Sequence, residues 1–259
     1  MNPLIQFSTR CIGQIATRPR EQLLARMPRN SVCAEIGVHE GTFSNEILRF
    51  VKPARLHLID PWKYLPQYEK ALYGGKASEG QATLDGRFHL VQSRFRKQIA
   101  RGKVVLHRKY SSDAINEFSD GYFDWIYIDA NHLYEYVRSD LELYAPKVKA
   151  GGFITGDDYG ITGWWSNGVQ KAVDEYVGQI GASFELIDSQ FIITSTDHKG
   201  RQFRVVAAER EDGGRFIVRA EEKLTAFIEL ESAIRRRASA WQQRLARPSV
   251  CDAPMAVPS

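Results

Sequence analysis

Between Phe123 and Tyr159 the chain reads FDWIYIDANHLYEYVRSDLELYAPKVKAGGFITGDDY, and this stretch constrains the fold more than any other. Phe123 to Ile128 is a short apolar, aromatic and β-branched run, suited to a strand buried on both faces of a parallel sheet, and Asp129 ends it. From His132 to Val148 the apolar residues Leu133, Tyr136, Val137, Leu141, Tyr144 and Val148 fall close to helical spacing, until Gly151 and Gly152 stop the pattern. A second short strand, Phe153 to Thr155, then runs into Asp157 and Asp158. Ligands of open α/β sheets sit outside the carboxyl ends of the strands, so Asp129, Asp157 and Asp158 are expected to share one crevice. Three carboxylates brought together call for positive charge, and a hard divalent cation with oxygen ligands supplies it.

Upstream, Leu23, Leu24 and Met27 mark a helix within residues 1–30. Ser31 to Ile36 is the first strand candidate, followed by GVHEGTFSNEILRF. Gly37 and Gly41, with Thr42 and Ser44 opening a helix whose apolar face is Phe43, Ile47 and Leu48, make a strand, glycine turn and helix N-terminus. Backbone N–H groups there can approach a polar ligand closely, and the helix dipole favours a carboxylate or phosphate. The spacing is not the GxGxxG of dinucleotide binding, because His39 stands where the second glycine belongs. A second strand, Leu56 to Ile59, ends in Asp60, and an acid at that place commonly accepts hydrogen bonds from a ribose diol.

Residues 61–87 are long for a connection in a compact domain, and Trp62, Tyr64, Tyr68 and Tyr73 make them too aromatic for a disordered linker. They are expected to form a lid. A helix from Phe88 to Ile99 and a strand from Val104 to His107 continue the alternation. Ser111, Ser112 and Asp113 then sit at a strand end suited to an adenine or ribose edge. Beyond Asp158, Tyr159, Trp164 and Trp165 offer aromatic faces for a sugar or a planar phenol. Ser166 or Asn167 is expected to cap a helix with Val169, Ala172, Val173 and Tyr176 on its apolar face. Phe184–Ile187 and Phe191–Thr194 suggest an antiparallel pair at the sheet edge. Residues 203–218 suggest a hairpin and 221–247 a charged helix, packed on its own domain or on a second subunit of a homodimer. The tail 248–259 is expected to be disordered.

Composition narrows the class further. The 259 residues allow one large domain with an appendage, with a core sufficient without disulfide or metal. Three cysteines without a CxxC pair suggest neither a disulfide framework nor a zinc site, and a cytoplasmic setting fits them best. No apolar run is long enough for a membrane span. The net charge of +4 is slight and spread along the chain, so nucleic acid is not favoured as a partner.

EIGVHEGTFS, then LID, WIYIDANH and FITGDDY, together resemble the class I S-adenosylmethionine-dependent methyltransferases over about residues 30–195. Among these the chain is most similar to the metal-dependent O-methyltransferases, which include catechol and caffeoyl-CoA enzymes and macrolide and aminocoumarin sugar enzymes. The resemblance implies a doubly wound, Rossmann-like, seven-stranded α/β sheet with helices on both faces, spanning 31–195. Residues 196–247 form an appendage outside the pattern. It also implies S-adenosyl-L-methionine as cofactor, contacted by Glu35, Gly37, Gly41, Ser44, Asp60, Ser112, Asp113 and Asp129. Mg2+ would be held by Asp129, Asp157 and Asp158. Catechol-type enzymes place a lysine base three residues after the first aspartate; this chain has His132, which becomes the candidate base. The expected reaction is methylation of a hydroxyl on a sugar or glycosylated small molecule, with Tyr64, Tyr159, Trp164 and Trp165 against the acceptor. A catechol or phenol acceptor is the alternative within enzymes. A nucleic-acid methyltransferase, or a catalytically silent cofactor-binding protein, is the alternative of another class.

Overall fold

Residues 18–182, 184–195, 204–209 and 215–220 are described by a computed structural model. Parallel strands β1 (Val32–Ile36), β2 (Arg55–Ile59), β3 (Val104–His107), β4 (Phe123–Ile128) and β5 (Val148–Gly156) build most of one sheet. Two further strands, β6 (Phe184–Ile187) and β7 (Gln190–Thr194), complete it in the order β3-β2-β1-β4-β5-β7-β6, with β7 antiparallel to both neighbours. The helices are α1 (Pro19–Arg26), α2 (Thr42–Phe50), α3 (Gln81–Arg94), α4 (Arg96–Ala100), α5 (Ser111–Ala114), α6 (Tyr134–Tyr144) and α7 (Gly168–Ile180).

Alternation along the strands divides the core in two. Ala34, Ile36, Ile126, Ile128 and Ile154 pack with α5, α6 and α7, while Cys33, Leu56, Leu58, Trp125 and Tyr127 pack with α1, α2 and α3. Both faces of the sheet are thus covered, which is why its strands read as near-continuous apolar runs. The seven-stranded doubly wound sheet is the one expected from the sequence.

Helix α1 begins with a proline at its first position, where a missing N–H is harmless. Leu23, Leu24 and Met27 are fully buried against α2 and the strands β6 and β7. At about 1.5–3 kcal/mol for each such side chain, this burial fixes the helix firmly on the sheet.

Several boundaries differ from the sequence reading. Strand β5 starts at Val148 rather than Phe153. Val148 pairs with Phe123 and Phe153 with Trp125, so Gly151 and Gly152 lie in an irregularity inside the strand instead of ending the helix before it. The helix expected from Phe88 starts at Gln81, after Gly80 with its φ of 109°, and breaks at the buried Phe95 into α3 and α4. The irregular part of the insertion is therefore 61–80. Asn167 stands at the N-cap of α7 but makes no side-chain capping bond.

A separate unit, residues 203–259, contains the antiparallel hairpin β8 (Arg204–Glu209) and β9 (Arg215–Ala220). The helix expected at 221–247, the tail from 248 and residues 1–17 lie outside the described residues. Among the described residues no helix is long and apolar enough to cross a membrane.

Candidate active site

Strand register sets out the site. Ile36 pairs with Ile59 and with Ile128, and Ile128 pairs with Gly156. The next residue on each strand, Gly37, Asp60, Asp129 and Asp157, therefore falls on one row along the carboxyl edge of the sheet.

Gly37 has φ of 92°, and a Cβ there would stand 2.1 Å from the Asp129 carbonyl oxygen, so only glycine lets the β1 turn lie against β4. Its neighbours Val38 and His39 donate backbone N–H groups to Asp60 Oδ2 at 2.9 and 3.0 Å. Trp62 N donates to Asp60 Oδ1 at 2.7 Å, and the hydroxyl of Tyr73, from the insertion, donates to Oδ2 at 2.5 Å. Asp60 thus ties the glycine turn to the insertion, and burial raises its carboxyl above the usual range despite these donors. Glu35 lies behind the turn and accepts from Ser44 Oγ at 2.5 Å. Its burial drives the carboxyl pKa well up.

At the β4 and β5 ends the structure holds a side chain that the sequence reading did not place there. Arg20, on α1, donates from Nη2 to Asp129 Oδ2 at 2.8 Å and to Asp157 Oδ2 at 2.6 Å, and from Nε to Asp157 Oδ2 at 3.1 Å. Its guanidinium lies 4.9 Å from the Phe43 ring centroid and 5.9 Å from that of Tyr127. Burial opposes its charge, but Tyr127, Asp129 and Asp157 outweigh burial and hold it firmly cationic. The other oxygen of Asp157 accepts from Ser189 Oγ and from Asp158 N, each at 2.7 Å, and from Gln190 Nε2. Burial pushes the Asp157 carboxyl up, yet the Arg20 guanidinium, Ser189 and the Asp158 amide hold it below its ordinary value.

His132 joins the remaining two acids. Its Nε2 lies 3.2 Å from Asp129 Oδ1 and its Nδ1 3.4 Å from Asp158 Oδ2, while the Trp165 ring meets it edge-on at 4.7 Å. Burial disfavours the imidazolium, but the Asp129 hydrogen bond and the charges of Asp129, Asp158 and Asp157 win, and its pKa rises. Burial likewise raises that of Asp158. The backbone at His132 is held by close approach to α7, where a Cβ on Gly168 would come within 2.4 Å of the His132 carbonyl oxygen.

The donor chemistry decides how well a dication suits this arrangement. The carboxylate set expected from the sequence does not fit as it stands, because Arg20 spans Asp129 and Asp157 and every oxygen of Asp157 already has protein donors. Ligand atoms of Asp129, His132 and Asp158 do lie within 4.8 Å of one another. There, however, the imidazole bridges two carboxylates, so both ring nitrogens are already engaged. Arg20 and, when protonated, His132 offset part of the charge of the three acids.

These groups open onto a cavity of about 720 Å³, within the usual range for small-molecule sites. Tyr110, Ser111 and Asp140 line part of it. Ser111 Oγ donates to Asp140 Oδ1 at 2.5 Å, and burial lifts the Asp140 carboxyl to about 6. Ser112 and Asp113, expected here, are exposed and outside the lining. Trp164, Trp165, Tyr68 and Tyr136 also line the cavity, with the Tyr68 and Tyr136 hydroxyls 2.9 Å apart. The Trp165 indole N–H is buried without a partner. Tyr64 and Tyr159 are not in the lining, and Tyr159 donates to Asp174 instead. Tyr136 was legible only as part of a helical face. Tyr73 was legible only as one of the aromatic residues of the insertion, and Arg20 and Asp140 carried no local signal, since each acts through a partner distant in sequence.

A parallel sheet reversed only at its penultimate strand, with a glycine turn closing on a buried acid, is the architecture of the class I S-adenosylmethionine-dependent methyltransferases. The chain carries a methyltransferase domain, and its fold is shared with the O-methyltransferase NovP. Residues 34–159 match the family described as methyltransferase domain. Among solved structures, the O-methyltransferase NovP is 20% identical, with a TM-score of 0.50 over 69% of this chain and 80% of that one. A Corynebacterium glutamicum protein is 13% identical, with a TM-score of 0.49 over 68% and 78%. The O-methyltransferase from Bacillus cereus in complex with SAH is 15% identical, with a TM-score of 0.44 over 68% and 79%. No curated protein matches the chain.

Proposed function

We propose that this enzyme moves the methyl group of S-adenosylmethionine to a hydroxyl of a sugar or glycosylated small molecule, with His132 as general base. The observation that carries this reading is the position of His132, fixed by Asp129 and Asp158 on the wall of the one cavity that also holds the glycine turn and Asp60. The cofactor's methionine end belongs at the Gly37–Gly41 turn and its ribose near Asp60. The acceptor then lies against Trp164, Trp165, Tyr68 and Tyr136, aromatic faces that suit the C–H faces of a sugar ring.

The sulfonium methyl is already electrophilic, so the protein has to align the acceptor oxygen with it and take away one proton. A free alcohol is too weak an acid for imidazole. As the oxygen–carbon bond forms, however, the oxygen gains positive charge and its proton becomes easy to remove, so transfer to His132 belongs in the same step. The looser contact, from Nδ1 to Asp158, is the one an acceptor hydroxyl displaces. Nε2–H keeps its bond to Asp129, whose charge stabilises the imidazolium that forms. Mg2+ has no step in this reading, because Arg20 already occupies the Asp129 and Asp157 oxygens that would hold it.

The test is product analysis. The enzyme, S-adenosylmethionine and a panel of free sugars, glycosides and catechols should give SAH and a sugar methyl ether. A product from catechols alone would move the reading to a phenol acceptor.

A further inference from the structure

A pair of acids at adjacent strand tips needs a cation between them, and in this chain a side chain provides it. Asp129 and Asp157 are one residue beyond the paired Ile128 and Gly156, and Arg20 contacts both at 2.8 and 2.6 Å. The contact is built rather than incidental. The helix that carries Arg20 is anchored by Leu23, Leu24 and Met27, all fully buried. The guanidinium packs over Phe43. Asp157 turns its second oxygen to Ser189 and to the Asp158 amide, leaving nothing directed at an ion.

We propose that Arg20 is a resident substitute for a divalent cation: it fills the carboxylate cradle, keeps metal out, and positions Asp129 and through it His132. One oxygen of Asp129 faces Arg20 and the other faces His132. Arg20 is therefore a positioning residue, and the orientation of the base depends on it. Nη2 alone reaches both carboxylates, and Nε adds a second contact to Asp157, a pair of fixed donors that a single ammonium nitrogen does not reproduce. This inference deepens the methyl-transfer reading and rests on it for its catalytic consequence, but its test does not need an acceptor.

The experiment measures Mn2+ binding to the EDTA-stripped full chain, saturated with SAH, by calorimetry and by loss of the free-ion paramagnetic signal. Wild type should bind Mn2+ at least about tenfold more weakly than Arg20→Met, a difference of about 1.4 kcal/mol. Adding Asp157→Asn to Arg20→Met should abolish the gain. Should Arg20→Met fail to fold, Arg20→Lys carries the same comparison, with a gain of about threefold or more over wild type. Equal binding by wild type and variants, or no gain in either variant, overturns the proposal. Loss of SAH binding by wild type would instead remove the methyl-transfer reading, whatever the Mn2+ result.

Discussion

The hydroxyl of Tyr73 stands 2.5 Å from Asp60 Oδ2, so the insertion that lines the cavity is fastened to the very carboxylate a ribose would use. Oδ2 has three protein donors and Oδ1 has one. An incoming ribose diol must compete with the phenol. Tyr73→Phe should therefore bind SAH several-fold more tightly, about the worth of one hydrogen bond. Asp60→Asn should bind it at least about tenfold more weakly. Calorimetric titration with SAH checks both, and an unchanged affinity in Asp60→Asn would separate Asp60 from the cofactor.

His132→Ala should lower methyl transfer by about 10²–10⁴-fold while SAH affinity stays within about twofold. The base has to be neutral, and its pKa lies above 6.5 because of the neighbouring acids. The rate should consequently rise with pH, with a midpoint above 6.5. Asp158→Asn removes a negative charge that favours the imidazolium, so it should move that midpoint down. A profile flat through this range would detach His132 from the proton transfer.

Trp165→Phe keeps an aromatic face and deletes the unpartnered indole N–H. If an acceptor oxygen is its partner, KM for the acceptor should rise by about five- to twentyfold, the cost of one hydrogen bond lost in a buried site, with cofactor affinity unaltered. Initial-rate kinetics at saturating cofactor would show it.

Gly37→Ala should be strongly destabilising. A Cβ 2.1 Å from the Asp129 carbonyl, at a φ of 92°, must push β1 and β4 apart just where both reach the site. A loss of about 3 kcal/mol or more is expected in denaturant unfolding, together with weaker SAH binding.

Acid should destabilise the protein through a chain on the far side of β2. His57 Nδ1 meets His107 Nε2 at 2.9 Å, His57 Nε2 meets the Tyr122 hydroxyl at 3.1 Å, and His107 Nδ1 meets Glu117 at 2.9 Å. Burial, with His107 and Arg55 nearby, lowers the His57 pKa to about 4 from 6.5. The unfolded chain then binds the extra proton first, so this contribution is complete above pH 6.5 and is lost as pH falls toward 4. At its limit it amounts to about 3 kcal/mol. Between pH 7.5 and pH 5, His57→Phe should lose about 2 kcal/mol less than wild type in urea unfolding.

Strand ends and glycine turns were legible because they are local: the runs ending in Asp60, Asp129 and Asp157 announce themselves in a few residues. The acceptor wall was legible in part, since Trp164 and Trp165 stand beside an acidic strand end, whereas Tyr159 turns to Asp174 on the following helix. Arg20 was not legible. It reaches Asp157 across 137 positions, and one arginine on an amphipathic helix resembles any solvated charge. Of Ser111, Ser112 and Asp113, only Ser111 lines the cavity, since α5 begins there and its next two residues are exposed.

The account is tested most directly by following a 13C-labelled methyl group from S-adenosylmethionine into product by NMR, with wild type and His132→Ala side by side. A methoxy carbon on a sugar, formed by wild type and nearly absent with His132→Ala, is the result it predicts. A methyl on nitrogen or carbon, or equal methoxy formation by both proteins, would contradict it.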